Sequence, residues 1–133
     1  RQDQLSPMHT HVIKVEDIIN RGGATLIIEL YGSDDFGGFA EDRGGVVRCD
    51  GIERHYGPGE KLRLAPGESV TLMPGDWHAF WGEGGDVLIG EVSTVNDDLT
   101  DNIFRQPIGR FAAIEEDEAP THLLVSDYEA VLG

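Results

Sequence analysis

The sequence has 133 residues, enough for one domain with a hydrophobic core and too few for two of ordinary size. Twenty-five acidic residues against ten basic ones give a formal net charge of −15, which disfavours nucleic acid and anionic membrane surfaces as partners. No apolar run is long enough to span a bilayer, and the single cysteine, Cys49, excludes an internal disulfide.

The start of the chain gives a prediction about its location. It lacks the basic and then apolar pattern of a secretory signal, and a lone cysteine fits a reducing compartment. We therefore expect a cytoplasmic protein. The first residue is not Met, so we also allow for a missing upstream segment.

In chain order, the first predicted element is an extended segment that carries two histidines. His9 and His11 are one residue apart, so in a strand their side chains point to the same side. The run "ATLIIELYG" then predicts a buried strand. "GGVVRCDGIERHYGPG" predicts two strands joined by a hairpin turn at Asp50-Gly51.

A repeat with a period of eight follows: "GPGEKLRL", "APGESVTL", "MPGDWHAF" and "WGEGGDVL". Each unit reads as a glycine-bearing turn followed by a short strand, and evenly spaced short strands are typical of a sandwich or barrel. The sequence therefore predicts an all-β fold. The acidic stretch after residue 95 is irregular, and the last 13 residues predict a final strand and a short helical tail.

The histidines fall into a recognisable spacing. Four residues separate His11 from Glu16 and six more lead to Gly23, whereas Gly75 precedes His78 by three positions. These spacings resemble the two motifs of the cupin superfamily. The resemblance implies a single cupin domain over residues 1–133, a double-stranded β-helix (jelly-roll) barrel, with His9, His11, Glu16 and His78 as metal ligands.

The chemistry of this ligand set agrees with the resemblance. Three imidazoles and one carboxylate suit Mn²⁺, Fe²⁺, Co²⁺ or Zn²⁺, and an octahedral ion would keep two positions open for substrate. An isolated histidine such as His55 or His122 is better explained by a structural hydrogen bond.

A narrower resemblance rests on longer segments of the chain. "MHTHVIKVEDIINRGG", "LIGEVSTVNDDLTDN", "PIGRF", "IEEDE" and "HLLVSDYE" together resemble the D-lyxose isomerase family of sugar isomerases. The resemblance implies interconversion of D-lyxose and D-xylulose, and of D-mannose and D-fructose, through a cis-enediol. It also implies a monosaccharide substrate, a homodimer and a divalent metal, for which we expect Mn²⁺.

Candidate catalytic groups follow from this reaction, in which a proton moves between C2 and C1. Lys14 lies between His11 and Glu16, and we expect the neighbouring histidines and a dication to lower its pKa so that it acts as an acid or base. The alternative for Lys14 is a surface lysine that balances acidic neighbours. The resemblance implies a catalytic glutamate in the acidic stretch "AIEEDEAP", where we select Glu115, with Glu116 as the alternative.

Substrate-binding candidates come from two places. Asp97 and Asp101 are predicted to hold sugar hydroxyls, although a solvated acidic loop explains them equally well. Trp77 and Phe80 flank His78 and are candidates for contact with the sugar ring. The barrel core is the alternative for both aromatic residues.

Three other functions remain open at this level. An Fe²⁺-dependent cupin dioxygenase would use the same ligand set, but would not require Lys14. A phosphosugar isomerase should carry paired basic residues, whereas the arginines here are scattered. A non-catalytic sugar-binding cupin would keep the metal for stability and would have no need for a titratable lysine.

Overall fold

A computed structural model describes residues 1–97, 99–108, 117–118, 121–124 and 128–129 of the chain. These residues include eight β-strands in one curled sheet. The strands are β1 (Leu5–Thr10), β2 (Glu16–Tyr31), β3 (Gly45–Cys49), β4 (Ile52–Tyr56), β5 (Glu60–Leu64), β6 (Ser69–Leu72), β7 (Trp77–Ser93) and β8 (Ile103–Phe104). The predicted all-β class is confirmed, and the antiparallel pairing is consistent with a cupin jelly roll. Within the described ranges, no helix has the length and apolar character needed to cross a membrane.

The two longest strands, β2 and β7, form the centre of the sheet and pair along nearly their whole length. The first part of β2 also pairs with β6, and its last part pairs with β5. The strand order is β4, β3, β6, β2, β7, β1 and β8. Because β1 lies against the start of β7, the first histidine pair approaches His78.

The inner face of β2 supplies both the core and the start of the functional site. Glu16, Ile18 and Asn20 are buried and alternate with partly exposed residues, as expected for a strand with one buried face. Glu16 is therefore the polar first member of a row that continues into the hydrophobic core. That core contains Ile18, Leu26, Ile28, Leu30, Val47, Tyr56, Leu62, Leu64, Val70 and Leu72.

Several local predictions are confirmed. The "ATLIIELYG" run lies in β2 and the turn that follows it. Asp50 and Gly51 join β3 to β4 with φ values of 48° and 82°, the paired positive values that a tight hairpin turn requires. The predicted C-terminal strand and helical tail fall largely outside the described residues.

The fourth repeat unit differs from the prediction. The first three units give β5, β6 and the start of β7, each after a turn. Residues 81–88 do not begin a new strand, so this prediction is wrong; they continue β7. Gly84 and Gly85 have φ values of 80° and 151°, and the pairing with β2 is irregular at this point. Two glycines thus absorb extra residues as a bulge in one continuous strand.

Gly23, the glycine of the first motif, is required by close backbone approach. A Cβ atom at this position would lie 2.2 Å from the carbonyl oxygen of Asp86, and φ is 96°. We expect Gly23→Ala to lower the free energy of unfolding by at least about 2 kcal/mol, because both backbone strain and overlap must be relieved. Denaturant unfolding measures this. Gly57→Ala is the control, since nothing lies within 4 Å of its added atom; equal effects of the two substitutions would contradict the explanation.

Candidate metal centre

Four side chains converge beside the first residue of β2. His9 lies in β1, His11 is the first residue after β1, Glu16 begins β2 and His78 lies in β7. All four are buried, and one potential ligand atom from each lies within 4.8 Å of the others. The structure therefore brings together the four residues in which the sequence predicted a metal site.

Strand pairing explains this convergence. His9 and His78 are direct partners in the β1–β7 pair, and their ring centroids are 4.2 Å apart. The register shifts between Ser6 and His9, where Pro7 has no N–H to donate to a neighbouring strand. After this bulge, His9 and His11 share the inner side of the sheet.

The three imidazoles are oriented by backbone carbonyl groups. The Nδ1 atoms of His9, His11 and His78 lie 2.7, 2.5 and 3.0 Å from the carbonyl oxygens of Pro7, Asp101 and Asp76, respectively. A carbonyl oxygen only accepts hydrogen bonds, so each Nδ1 must carry the proton. In the neutral ring Nε2 is then a lone-pair donor, which is the form that binds metals.

These lone pairs face a carboxylate that also lacks a proton. Glu16 Oε1 is 3.3 Å from His11 Nε2 and 2.9 Å from His78 Nε2. All three atoms are buried and have no satisfactory hydrogen-bond partner. Acceptors this close repel one another unless a cation lies between them, so the donor set fits a divalent metal ion.

The electrostatics favour a cation at this position. Burial alone would raise the pKa of Glu16, but the adjacent imidazoles of His11 and His78 and the ammonium group of Lys14 hold it well below its usual range. Burial and the nearby His78 lower the pKa of His9 to about 4. Burial also acts to lower the pKa of His11, but the adjacent Glu16 carboxylate contributes to a net rise. The site therefore keeps a carboxylate and attracts positive charge, either a proton or a metal.

Lys14 lies beside the cluster, but its pKa differs from the prediction. Its side chain is buried, and Nζ is 2.8 Å from Glu16 Oε2 and 2.9 Å from Glu91 Oε1. Burial alone would lower the pKa of Lys14, but these two carboxylates raise it above its ordinary value. The predicted lowering is wrong for this arrangement. Lys14 is an ammonium group at neutral pH and suits proton donation better than proton abstraction.

The cluster faces a cavity of about 430 Å³. Lys14 and Glu91 line it together with three of the candidate ligands, His9, His11 and Glu16, and the segment after β7 contributes Asn96 and Asn102. The ring of Phe80 is stacked nearly parallel to the His78 imidazole, with centroids 6.4 Å apart. The cavity thus combines carboxylate, ammonium, amide and aromatic groups, which suits a small polar molecule.

The two predicted aromatic contacts lie in different places. Phe80 lines the cavity, whereas Trp77 is buried away from it: its Nε1 donates to Ser33 Oγ at 3.2 Å and its ring packs edge-to-face on Phe39. Trp81 lines a separate outer groove of about 500 Å³ that contains none of the four candidate ligands. Alternation along β7 separates these residues, because neighbours in a strand face opposite sides.

The predicted carboxylates do not line the cavity among the described residues. Asp97 is exposed, and its carboxylate accepts hydrogen bonds from Leu99 and Thr100. Asp101 is buried and its carboxylate accepts backbone hydrogen bonds from residues 12–14. Glu115 and its alternative, residue 116, fall outside the described residues.

Sequence reasoning missed Glu91. This residue lies in β7, lines the cavity and pairs with Lys14. His78 and Phe80 face inward at even positions of the same strand, so simple alternation would have placed an odd position outside. The bulge at Gly84 and Gly85 lies between them and changes that parity. The pair Gly84-Gly85 inside a strand pattern was the sequence feature that could have indicated this bulge.

A divalent metal should stabilise the folded chain through these four donors. We expect MnCl₂ added to EDTA-treated protein to raise the unfolding temperature, because an ion at about 100 times its Kd stabilises the folded state by about 2.7 kcal/mol. His78→Ala should remove most of this shift, whereas His55→Ala, an exposed residue in β4, should retain it. Scanning fluorimetry provides the measurement. An undiminished shift in His78→Ala would exclude the site.

Comparison with known proteins agrees with the geometry. The sequence model described as D-lyxose isomerase matches residues 1–128. A D-lyxose/D-mannose isomerase of Serratia proteamaculans is 54% identical over 130 residues, and one of Escherichia coli O157:H7 is 49% identical over the same length. Each match covers 96% of this chain and 57% of the relative, so the chain spans little more than half the length of these relatives. The predicted resemblance is confirmed: the chain belongs to the D-lyxose isomerase family.

Proposed function

We propose that this protein is a metal-dependent aldose–ketose isomerase that interconverts D-lyxose with D-xylulose and D-mannose with D-fructose through a cis-enediol. The two relatives are named for D-lyxose and D-mannose isomerisation, which supports the substrate class. The observation that carries the proposal is the Lys14–Glu91 ion pair, which lines the same cavity as three of the four candidate metal ligands, His9, His11 and Glu16.

The reaction requires proton transfer between two adjacent carbons and stabilisation of charge on their oxygens. A divalent ion held by His9, His11, Glu16 and His78 would act there as a Lewis acid for oxygen atoms of the open-chain sugar. The protein must supply the remaining parts: groups that move protons, groups that orient the substrate, and walls that limit access of water.

Lys14 and Glu91 have complementary capacities for proton transfer. The Lys14 ammonium can donate a proton to a developing alkoxide, and its positive charge stabilises that oxygen beforehand. Glu91 is the carboxylate of the described cavity that is not one of the four candidate ligands, so it can accept a proton. Glu115 stays a second candidate for this role.

The walls of the cavity fit the rest of a sugar. The amides of Asn96 and Asn102 have donors and acceptors suited to hydroxyl groups, and Phe80 offers a flat apolar surface to the C–H side of the molecule. Apart from the histidines, Lys14 is the single basic side chain among the described residues that line the cavity. The described lining therefore shows no paired cations of the kind that a phosphosugar would need.

We further propose Mn²⁺ as the cation, with Co²⁺, Fe²⁺ and Zn²⁺ as alternatives, and a homodimer as the assembly. The ligand set supports any of these ions. A sheet edge supports association, because β4 has a partner on one side only among the described strands, and Ile52 in this strand is 73% exposed.

Removing the ammonium tests the catalytic role directly. We expect Lys14→Ala to keep the wild-type metal content while isomerisation falls at least about 100-fold, the usual contribution of a general acid or base. Lys61→Ala is a matched control, because Lys61 is the other lysine of the sequence and lies on β5 outside the cavity. Ketose formation from D-lyxose and D-mannose, with bound metal measured in parallel, gives the result. Unchanged turnover in Lys14→Ala would remove this residue from the mechanism. In a separate assay, oxygen uptake by the iron-loaded protein without ketose formation would favour a dioxygenase.

Neutralising Glu91 tests its partnership with Lys14. We expect Glu91→Gln to lower kcat by at least about tenfold and to leave metal affinity nearly unchanged, because it removes a carboxylate but no candidate ligand. In the double variant with Lys14→Ala the two losses should be less than additive, since the residues are in contact. Steady-state kinetics of the four proteins completes this cycle, and full additivity would argue against a joint role.

A further inference from the structure

We propose that Asp101 is a positioning residue of the metal centre, which holds His11 and Lys14 in place through its carboxylate and its backbone carbonyl. This inference rests on the proposed function and deepens it, because both positioned residues belong to the candidate site. Asp101 is 2% exposed and does not line the cavity. It therefore acts through its neighbours and does not contact the sugar.

The carboxylate of Asp101 accepts three consecutive backbone hydrogen bonds. Oδ1 accepts from the N–H groups of Val12 at 2.7 Å and Ile13 at 2.9 Å, and Oδ2 accepts from the N–H of Lys14 at 2.8 Å. Residues 11–15 lie between β1 and β2, outside both strands, so strand pairing does not organise their N–H groups. A single carboxylate fixes the backbone of this turn instead.

The backbone carbonyl of Asp101 fixes His11 from the other side. Its oxygen lies 2.5 Å from His11 Nδ1 and accepts the proton that this nitrogen carries. Such an outer hydrogen bond sets both the tautomer and the orientation of a metal-ligating imidazole. The carbonyl group keeps this position only while Asp101 itself is fixed. The hydrogen bonds between its carboxylate and the turn fix it. One residue thereby sets the direction of a ligand ring and the start of the Lys14 side chain.

Asp101 also joins this turn to the opposite wall of the cavity. Its N–H donates to the Asp97 carbonyl at 2.9 Å, and two residues later β8 pairs with His9 and Thr10 of β1. Asn102 of the wall is adjacent in sequence. Asp101 is therefore fixed both to the turn after β1 and to the cavity wall. A residue that aligns two parts of one site needs contacts with both parts.

Co²⁺ binding by the EDTA-treated protein tests the inference without depending on catalysis. We expect Asp101→Ala to weaken Co²⁺ affinity by about 10- to 100-fold, the usual effect of losing an outer partner of a ligating histidine, and to change the visible Co²⁺ spectrum because His11 is no longer held. Asp34→Ala is the matched control. Asp34 Oδ1 also accepts two backbone N–H groups, from Phe36 and Gly38, but this residue does not line the cavity.

Asp101→Asn separates the two parts of the role. It keeps the carbonyl for His11 and one side-chain oxygen for Val12 and Ile13, but it places an amide N–H₂ against the N–H of Lys14. We expect Co²⁺ affinity closer to wild type than in Asp101→Ala, with kcat about 100-fold lower and KM little changed, as for a displaced acid or base.

The outcomes distinguish this inference from the proposed function. Wild-type affinity and an unchanged spectrum in Asp101→Ala would overturn the positioning role, even if the protein is an isomerase. If Asp101→Ala does not fold, wild-type kcat in Asp101→Asn would overturn it. If the wild-type protein binds no Co²⁺, the proposed function fails. Hydrogen exchange of the backbone amides of residues 12–14 then tests whether Asp101 holds the turn. Exchange that is no faster in Asp101→Asn than in Asp34→Ala would overturn the positioning role.

Discussion

Repulsion among buried electron-pair donors is the interaction on which this structure depends. Three imidazoles that each donate Nδ1–H to a carbonyl leave three lone pairs near the Glu16 carboxylate, with little solvent to screen them. Bringing such groups together costs free energy unless a cation enters. The favourable packing of the β2 and β7 core must offset that cost in the metal-free chain. A metal ion bound by these four donors would therefore couple binding to folding, because the unfolded chain has no such site.

The rigidity of the centre follows from where its members lie. Glu16 shares the inner row of β2 with Ile18 and the core residues beyond it, and His78 precedes Phe80 on the inner row of β7. His78 is also supported through Asp76, whose backbone carbonyl accepts the hydrogen bond from its Nδ1. The Asp76 carboxylate in turn accepts hydrogen bonds from the Tyr56 hydroxyl and from a backbone N–H. Ligands that stand on core strands keep their geometry better than ligands on loops.

The sequence predicted those features that depend on spacing along one strand. His9 and His11 follow the two-residue period, and Asp50-Gly51 demands a tight hairpin; both need only local geometry. Glu91 was not predicted as a site residue, because a bulge more than five residues away reverses the face of the sheet to which its side chain points. The contact of Lys14 with Glu91 and the three hydrogen bonds of Asp101 join residues that are 77 and 87 to 89 positions apart in the chain, which no local pattern encodes.

The cavity divides into two parts that are supported differently. The ligand side stands on β1, β2 and β7, whereas Asn96 and Asn102 belong to a segment that is attached through the two-residue β8 and through Asp101. The ligand side therefore rests on long paired strands, whereas the strand nearest to Asn96 and Asn102 in the described segment has two residues. In the proposed isomerase, changes at Asn96 and Asn102 would alter which hydroxyl groups are recognised without moving the four donors. Chemistry and substrate choice can therefore vary separately, with Asp101 as the residue that keeps the two parts aligned.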